Sequence, residues 1–143
     1  MEKLCGLLNL HKPTGVTSRD VVDVALRSVR PAKAGHAGTL DPLATGVLVV
    51  CVGSATRLIR YVQQMHKCYR GTFLLGRSSP TEDIEGDVTE LCNATVPSRE
   101  QLEKASANLT GDILQRPPAF SAKKVLGQRA YALARLGKAV RLK

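Results

Sequence analysis

The chain contains no tryptophan, and only two phenylalanines and three tyrosines stand among its 143 residues. Aromatic residues make up 3%, so Tyr61, Tyr69, Phe73, Phe120 and Tyr131 each need a separate account. Cysteine is sparse as well. Cys5, Cys51, Cys68 and Cys92 form no Cys-x-x-Cys pair, which argues against a zinc site or a disulfide framework. The expectation is four reduced thiols in a cytoplasmic protein. No apolar run approaches the roughly 18 residues of a membrane span. The opening residues, Met1 to Gly6, lack the apolar stretch and cleavage site of a secretory signal. Internal repeats, low-complexity tracts and linker composition are also missing.

What the chain does have is an ordinary hydrophobic share, 43%, and the length of one domain with a real core. That excludes a disordered tail. It also has 21 Lys and Arg against 12 Asp and Glu, a formal charge of +9. A basic excess points to an anionic partner, nucleic acid first and a membrane surface second. The charge is uneven: +4 over residues 1–62, −2 over 63–100 and +7 over 101–143. The two basic ends are expected to build one basic face.

Elements follow from local pattern. Leu7 to Leu10 suits a strand, and Lys12-Pro13-Thr14-Gly15 a turn. Thr17-Ser18-Arg19-Asp20 has the form of a capping box, opening a helix with Val22, Ala25, Leu26 and Val29 inward and Arg30-Pro31 at its end. Pro31 to about Thr45 reads as a long loop, a length that is often functional. Gly46 to Val52 is a continuous β-branched-rich run, the pattern of a strand buried on both faces. Ser54 is placed to cap a helix with Leu58, Tyr61, Val62 and Met65 inward. Lys67 to Gly76 alternates Tyr69, Gly71, Phe73 and Leu75 and predicts a strand. Residues 77–97 are polar and loop-like. Ser98-Arg99-Glu100-Gln101 is a second capping box, with Leu102, Ala105 and Leu109 inward and Gly111 past the end. Pro117-Pro118 breaks the chain, Arg129 to Leu136 reads as a helix, and Ala139 to Leu142 as the start of a strand.

The densest chemistry lies in Gly35-His36-Ala37-Gly38-Thr39-Leu40-Asp41-Pro42-Leu43-Ala44-Thr45-Gly46. Gly35 and Gly38 let the backbone approach a ligand closely or take positive φ. Pro42 restricts Asp41 to extended conformations and so aims its carboxylate. His36 can stack, donate or accept. The loop feeds a buried strand, a rigid platform for reactive groups. A plain turn, with Asp41 bonded to its own backbone, fits the same residues.

This stretch, on to Leu58, resembles the catalytic motif of the TruB family of tRNA pseudouridine synthases. The likeness extends along the chain in order. Gly6-Leu7-Leu8-Asn9-Leu10-His11-Lys12-Pro13-Thr14-Gly15-Val16-Thr17-Ser18 is similar to the family's opening segment. Lys67-Cys68-Tyr69 resembles the segment with its active-site tyrosine, and Leu75 to Gly86 its Thr/Asp-rich segment. Gln115 to Lys124, with Gly127, Tyr131, Ala134, Arg135 and Gly137, continues the match. Ser78, Ser79 and Pro80 vary the Thr-rich pattern, and Cys68 separates Lys67 from Tyr69.

The resemblance implies an α+β pseudouridine synthase fold, a mixed, largely antiparallel sheet with packed helices. It implies isomerisation of the T-loop uridine, position 55 of tRNA, to pseudouridine without metal or cofactor. The partner is then tRNA through its T-loop and stem, with no membrane and a monomer favoured. Asp41 takes the place of the nucleophile. An aspartate is an anion at neutral pH and needs no cofactor to attack. His36 corresponds to a contact with RNA near the vacated base position, and Tyr69 to the ring that stacks on the uracil and moves a proton at the end. Lys12 is read as structural or as a phosphate contact, Gly38 as support for the loop, and Asp83 as a hydrogen-bonding partner of that loop. Lys123, Lys124, Arg129 and Arg135 are RNA-backbone contacts as a group.

Family members are roughly twice as long. Beyond the region matched here they carry a tyrosine and an arginine that pairs with the nucleophile, then a leucine of the uracil pocket, and often a C-terminal RNA-binding module. Residues 1–143 are accordingly expected to be the N-terminal portion of a catalytic domain without that module. Such a chain alone should have little turnover and marginal stability. Its rival is a non-catalytic RNA-binding fragment that keeps the basic surface and the His36 and Tyr69 pocket. A Cys/His metal protein, the third alternative, has no supporting spacing.

Overall fold

In a computed structural model, the structure describes residues 4–115 together with 124–125 and 128–129. The chain divides into two compact units, Met1–Arg70 and Gly71–Lys143.

The first unit is built on a three-stranded antiparallel sheet of order β1-β3-β2, with β1 Gly6–Lys12, β2 Ala34–His36 and β3 Gly46–Val52. β3 is central. Its register sets Gly6 opposite Val52 and Lys12 opposite Gly46 on one side, and His36 opposite Val50 on the other. β3 is buried on both faces from Val50 to Val52, as its apolar run predicts, whereas Val47 near its start is exposed. Leu48 and Val50 pack with Val22 and Ala25 of α1 (Ser18–Val29), while Cys51 packs with Ala37 and Ala55. Burial pushes the Cys51 thiol up, which keeps it an inert core group. The four cysteines are free thiols.

α1 begins where the capping box places it. The Thr17 hydroxyl accepts from Asp20 N–H, and the Asp20 carboxylate accepts from Thr17 N–H at 2.8 Å. Part of the expected loop is a strand instead: residues 34–36 pair with β3, and 31–33 and 37–45 remain irregular. Backbone groups beside a central strand gain a ladder that local sequence does not announce.

After β3 the chain makes a 3₁₀ turn over Gly53–Leu58 and one α turn, α2, over Ile59–Val62. Ser54 lies inside that turn and caps nothing by its side chain. Val62 and Ile59 pack under the sheet, whereas Leu58, Tyr61 and Met65 are exposed. Gly53 is the glycine the backbone requires: its φ is +62°, and a Cβ there would stand 2.1 Å from the Leu4 carbonyl oxygen.

Residues 66–74 form no strand among the described residues, against the expectation for Lys67 to Gly76. Alternation specifies a face but supplies no partner, and a strand without a ladder leaves its backbone to water. Tyr69 and Phe73, which the pattern placed on one side of that strand, are 72% and 86% exposed.

In the second unit, β4 Arg77–Ser78 pairs with β5 Thr89–Glu90, and an Arg77–Glu90 ion pair of 2.6 Å joins register partners. α3 spans Arg99–Ala107 under an intact Ser98–Gln101 capping box. Its expected inward stripe is not buried: Leu102 and Leu109 are exposed, because no described element covers them. β6 Lys124–Val125 and β7 Gln128–Arg129 pair antiparallel, so Arg129 belongs to a strand rather than opening a helix. The helix and strand expected beyond it lie outside the described residues.

Candidate active site

The loop 37–45 is held from one side by the segment just after β1. Lys12 ends that strand with its side chain wholly buried, 0% exposed. Its ammonium donates to the carbonyls of Pro13 (2.8 Å), Val16 (2.7 Å) and Pro42 (3.2 Å). Three donors meet three acceptors, so the charge is satisfied without a carboxylate. A side chain in this state is not offered to a phosphate. Gly15 N–H also donates to the Pro42 carbonyl at 2.8 Å, and the Thr14 hydroxyl to the Leu43 carbonyl at 3.1 Å. The Ser18 hydroxyl, itself 3% exposed, accepts from Leu40 N–H at 2.9 Å and donates to the Leu40 carbonyl at 3.1 Å.

Asp41 stands between these anchors. Its own carbonyl accepts from Ala44 N–H at 3.0 Å. Its side chain is exposed, so the fixed backbone carries a carboxylate open to an incoming ligand. The turn reading is thus half present: the Asp41 backbone does make a turn, while the main chain on either side is tied to distant residues.

His36 closes β2, half-buried, and its Nδ1–H donates to the Gly38 carbonyl. A carbonyl only accepts, so in the neutral ring Nε2 is the unprotonated nitrogen and remains an acceptor. Ala37 N–H donates to the Val49 carbonyl at 2.8 Å, which fixes the loop's start to β3. Neither Gly35 nor Gly38 takes positive φ, contrary to one of the two reasons for expecting glycine there. A Cβ on Gly35 would approach Ile59 Cδ1 at 3.2 Å, whereas one on Gly38 would meet nothing within 4 Å. Positive φ falls instead on Gly46, at +136°, where the loop turns into β3.

Tyr69 belongs to the same unit as Asp41 and lies in irregular, exposed chain. Among the described hydrogen bonds none joins it to His36 or Asp41. Asp83 lies in the second unit and accepts from the Thr81 hydroxyl and from Glu85 N–H at 2.9 Å. The Thr81 hydroxyl holds its carboxyl below the usual aspartate range. Among the described residues no three His, Cys, Asp or Glu side chains gather as metal ligands, and no helix is long and apolar enough to cross a membrane.

Ser18 and Thr14 were not singled out as site residues from sequence. The available signal is that Thr17 and Ser18 both stand at a helix start where one hydroxyl is enough for a cap, which leaves the second for another purpose.

Comparison with known proteins adds an independent line. The family model described as TruB family pseudouridylate synthase (N terminal domain) matches residues 26–143. A tRNA pseudouridine synthase B of Acaryochloris marina is 48% identical over 96% of this chain and 47% of its own length. One from Mycobacterium sp. (strain KMS) is 50% identical over 96% of this chain and 46% of its own length. One from Aquifex aeolicus is 44% identical over 96% and 48% respectively. The chain therefore spans about half the length of the curated relatives it matches.

Proposed function

The chain belongs to the TruB family of pseudouridylate synthases, and from that premise we propose that residues 1–143 are the N-terminal portion of the catalytic domain of a tRNA pseudouridine synthase, with Asp41 as its nucleophile. The fold read here is that of the family's synthases, of which the mixed α and antiparallel β elements are a part. The substrate is the T-loop uridine at position 55 of tRNA. The Asp41 carboxylate serves as the nucleophile while the N-glycosidic bond breaks; the uracil turns, its C5 bonds to the sugar carbon, and the C5 proton is lost as N1 gains one. The isomerisation is redox-neutral, and the bond that Asp41 forms breaks again before product leaves. His36 meets RNA where the base has left the stack, with Nε2 as an acceptor. Tyr69 stacks on the uracil, a contact of roughly 1–3 kcal/mol per base, and its exposure leaves the ring accessible. Gly38 supports the loop, the working location is the cytoplasm, and the protein acts as a monomer.

The observation that carries this reading is Asp41 itself: an exposed carboxylate on a backbone anchored at Leu40, Pro42 and Leu43 by residues of the preceding segment. The test is pseudouridine formation on an unmodified tRNA transcript by the parent and by Asp41→Asn. Little but site-specific product is expected from the parent and none from the variant, with RNA affinity nearly unchanged. Binding without any product from the parent would favour the non-catalytic RNA-binding reading.

A further inference from the structure

We infer that Ser18 is a positioning residue for Asp41, an assignment that rests on Asp41 being the reacting group. Ser18 is the first residue of α1, directly after the capping Thr17. A serine at such a place has no bond to make inside its own helix and is ordinarily solvated. Here the hydroxyl is buried and spends both its hydrogen and a lone pair on one residue 22 positions away: Leu40, through N–H and C=O together. A group that both accepts from and donates to the same residue fixes that residue's place and its rotation, as a strand partner does.

The Leu40 carbonyl belongs to the peptide that enters Asp41, so Ser18 sets the direction from which the Asp41 side chain leaves the backbone. On the far side the Asp41 carbonyl is bonded to Ala44 N–H, and Pro42 is held by Lys12 and Gly15. Among the described hydrogen bonds, Ser18 alone holds Leu40, the residue next to Asp41 on the entering side. α1, packed on β3 through Val22 and Ala25, thereby becomes the rigid body from which the nucleophile is aimed. A displacement of about 1 Å at a reacting group costs up to 10²-fold in rate.

The experiment compares parent, Ser18→Ala and Thr17→Ala, the last losing a cap at the same helix end without touching residues 40–43. Amide exchange at Leu40 and turnover on an unmodified tRNA transcript are both read. Ser18→Ala is expected to speed Leu40 exchange at least about tenfold and to lower kcat by roughly ten- to a hundredfold, with KM within about twofold. Thr17→Ala should lower stability and leave both readouts near the parent. Ser18→Cys, close in size but a weak hydrogen-bonding group, replaces the alanine variant should that not fold, and is expected to show the same change in smaller degree. Leu40 exchange unchanged in Ser18→Ala would overturn the clamp. Faster exchange with kcat unchanged, or equal kcat losses in Ser18→Ala and Thr17→Ala, would overturn the positioning role. Turnover undiminished in Asp41→Asn would overturn the nucleophile reading, and a parent with no turnover would overturn the catalytic role of Ser18 in this chain, while Leu40 exchange still reports the Ser18 bonds separately.

Discussion

Lys12 shows how burial alters the meaning of a charged residue. A lysine beside a turn in a basic protein reads equally as a phosphate contact or a structural group. Here the ammonium has left water altogether and is matched to three carbonyls. Removing it leaves those carbonyls short of a donor in a closed space, which costs more than the mean hydrogen bond. Lys12→Met should therefore lower stability by about 2–4 kcal/mol, read as a shifted urea midpoint. Gly15 N–H exchange should quicken with it, since Gly15 and Lys12 share the Pro42 carbonyl. A variant as stable as the parent, with Gly15 still protected, would mean that the loop is held without this cation.

Among the elements, those specified by neighbours in sequence were the legible ones. Both capping boxes form as written, because each partner lies within three residues of the other. Thr17→Ala should cost about 1 kcal/mol by denaturation. Asp20 adds a dependence on pH. The Thr17 hydroxyl, and then its backbone N–H, hold the Asp20 carboxyl below its ordinary value of 3.8. A carboxyl whose folded value is depressed stabilises fully above the unfolded value and loses that contribution as pH falls through the folded one. The stability difference between the parent and Asp20→Asn, measured by urea midpoints, should hold from pH 7 to about pH 5 and shrink toward about pH 3. A difference that grows on acidification would contradict the capping role. The strand expected at 67–76 and the buried stripe expected on α3 failed for the opposite reason. Their patterns name a face, and the partner for that face has to come from elsewhere.

For the molecule as a whole, the +9 charge bears on partners rather than on fold. If tRNA is held through its phosphates, neutralising even two of them should weaken binding about tenfold between 50 and 200 mM salt. Titration of an unmodified transcript at several salt concentrations measures this, and a flat response would remove the basic side chains from recognition. Asp41→Asn should leave the salt slope as it is, because the carboxylate neutralises no phosphate.

The sequence by itself determined the two capped helix starts, the apolar strand 46–52, and the loop whose residues resemble a catalytic motif. Each of these is encoded within a few neighbouring residues, where side-chain period, caps and turns act. Only the tertiary structure decided that Lys12 is an internal strut, that Ser18 grips Leu40, that residues 34–36 join the sheet, and that Tyr69 stands exposed. Those outcomes depend on groups 22 and 30 residues apart meeting at hydrogen-bond distance, or on whether a partner strand is at hand. No local pattern carries that information, since a buried donor is satisfied by whatever acceptor the fold brings to it.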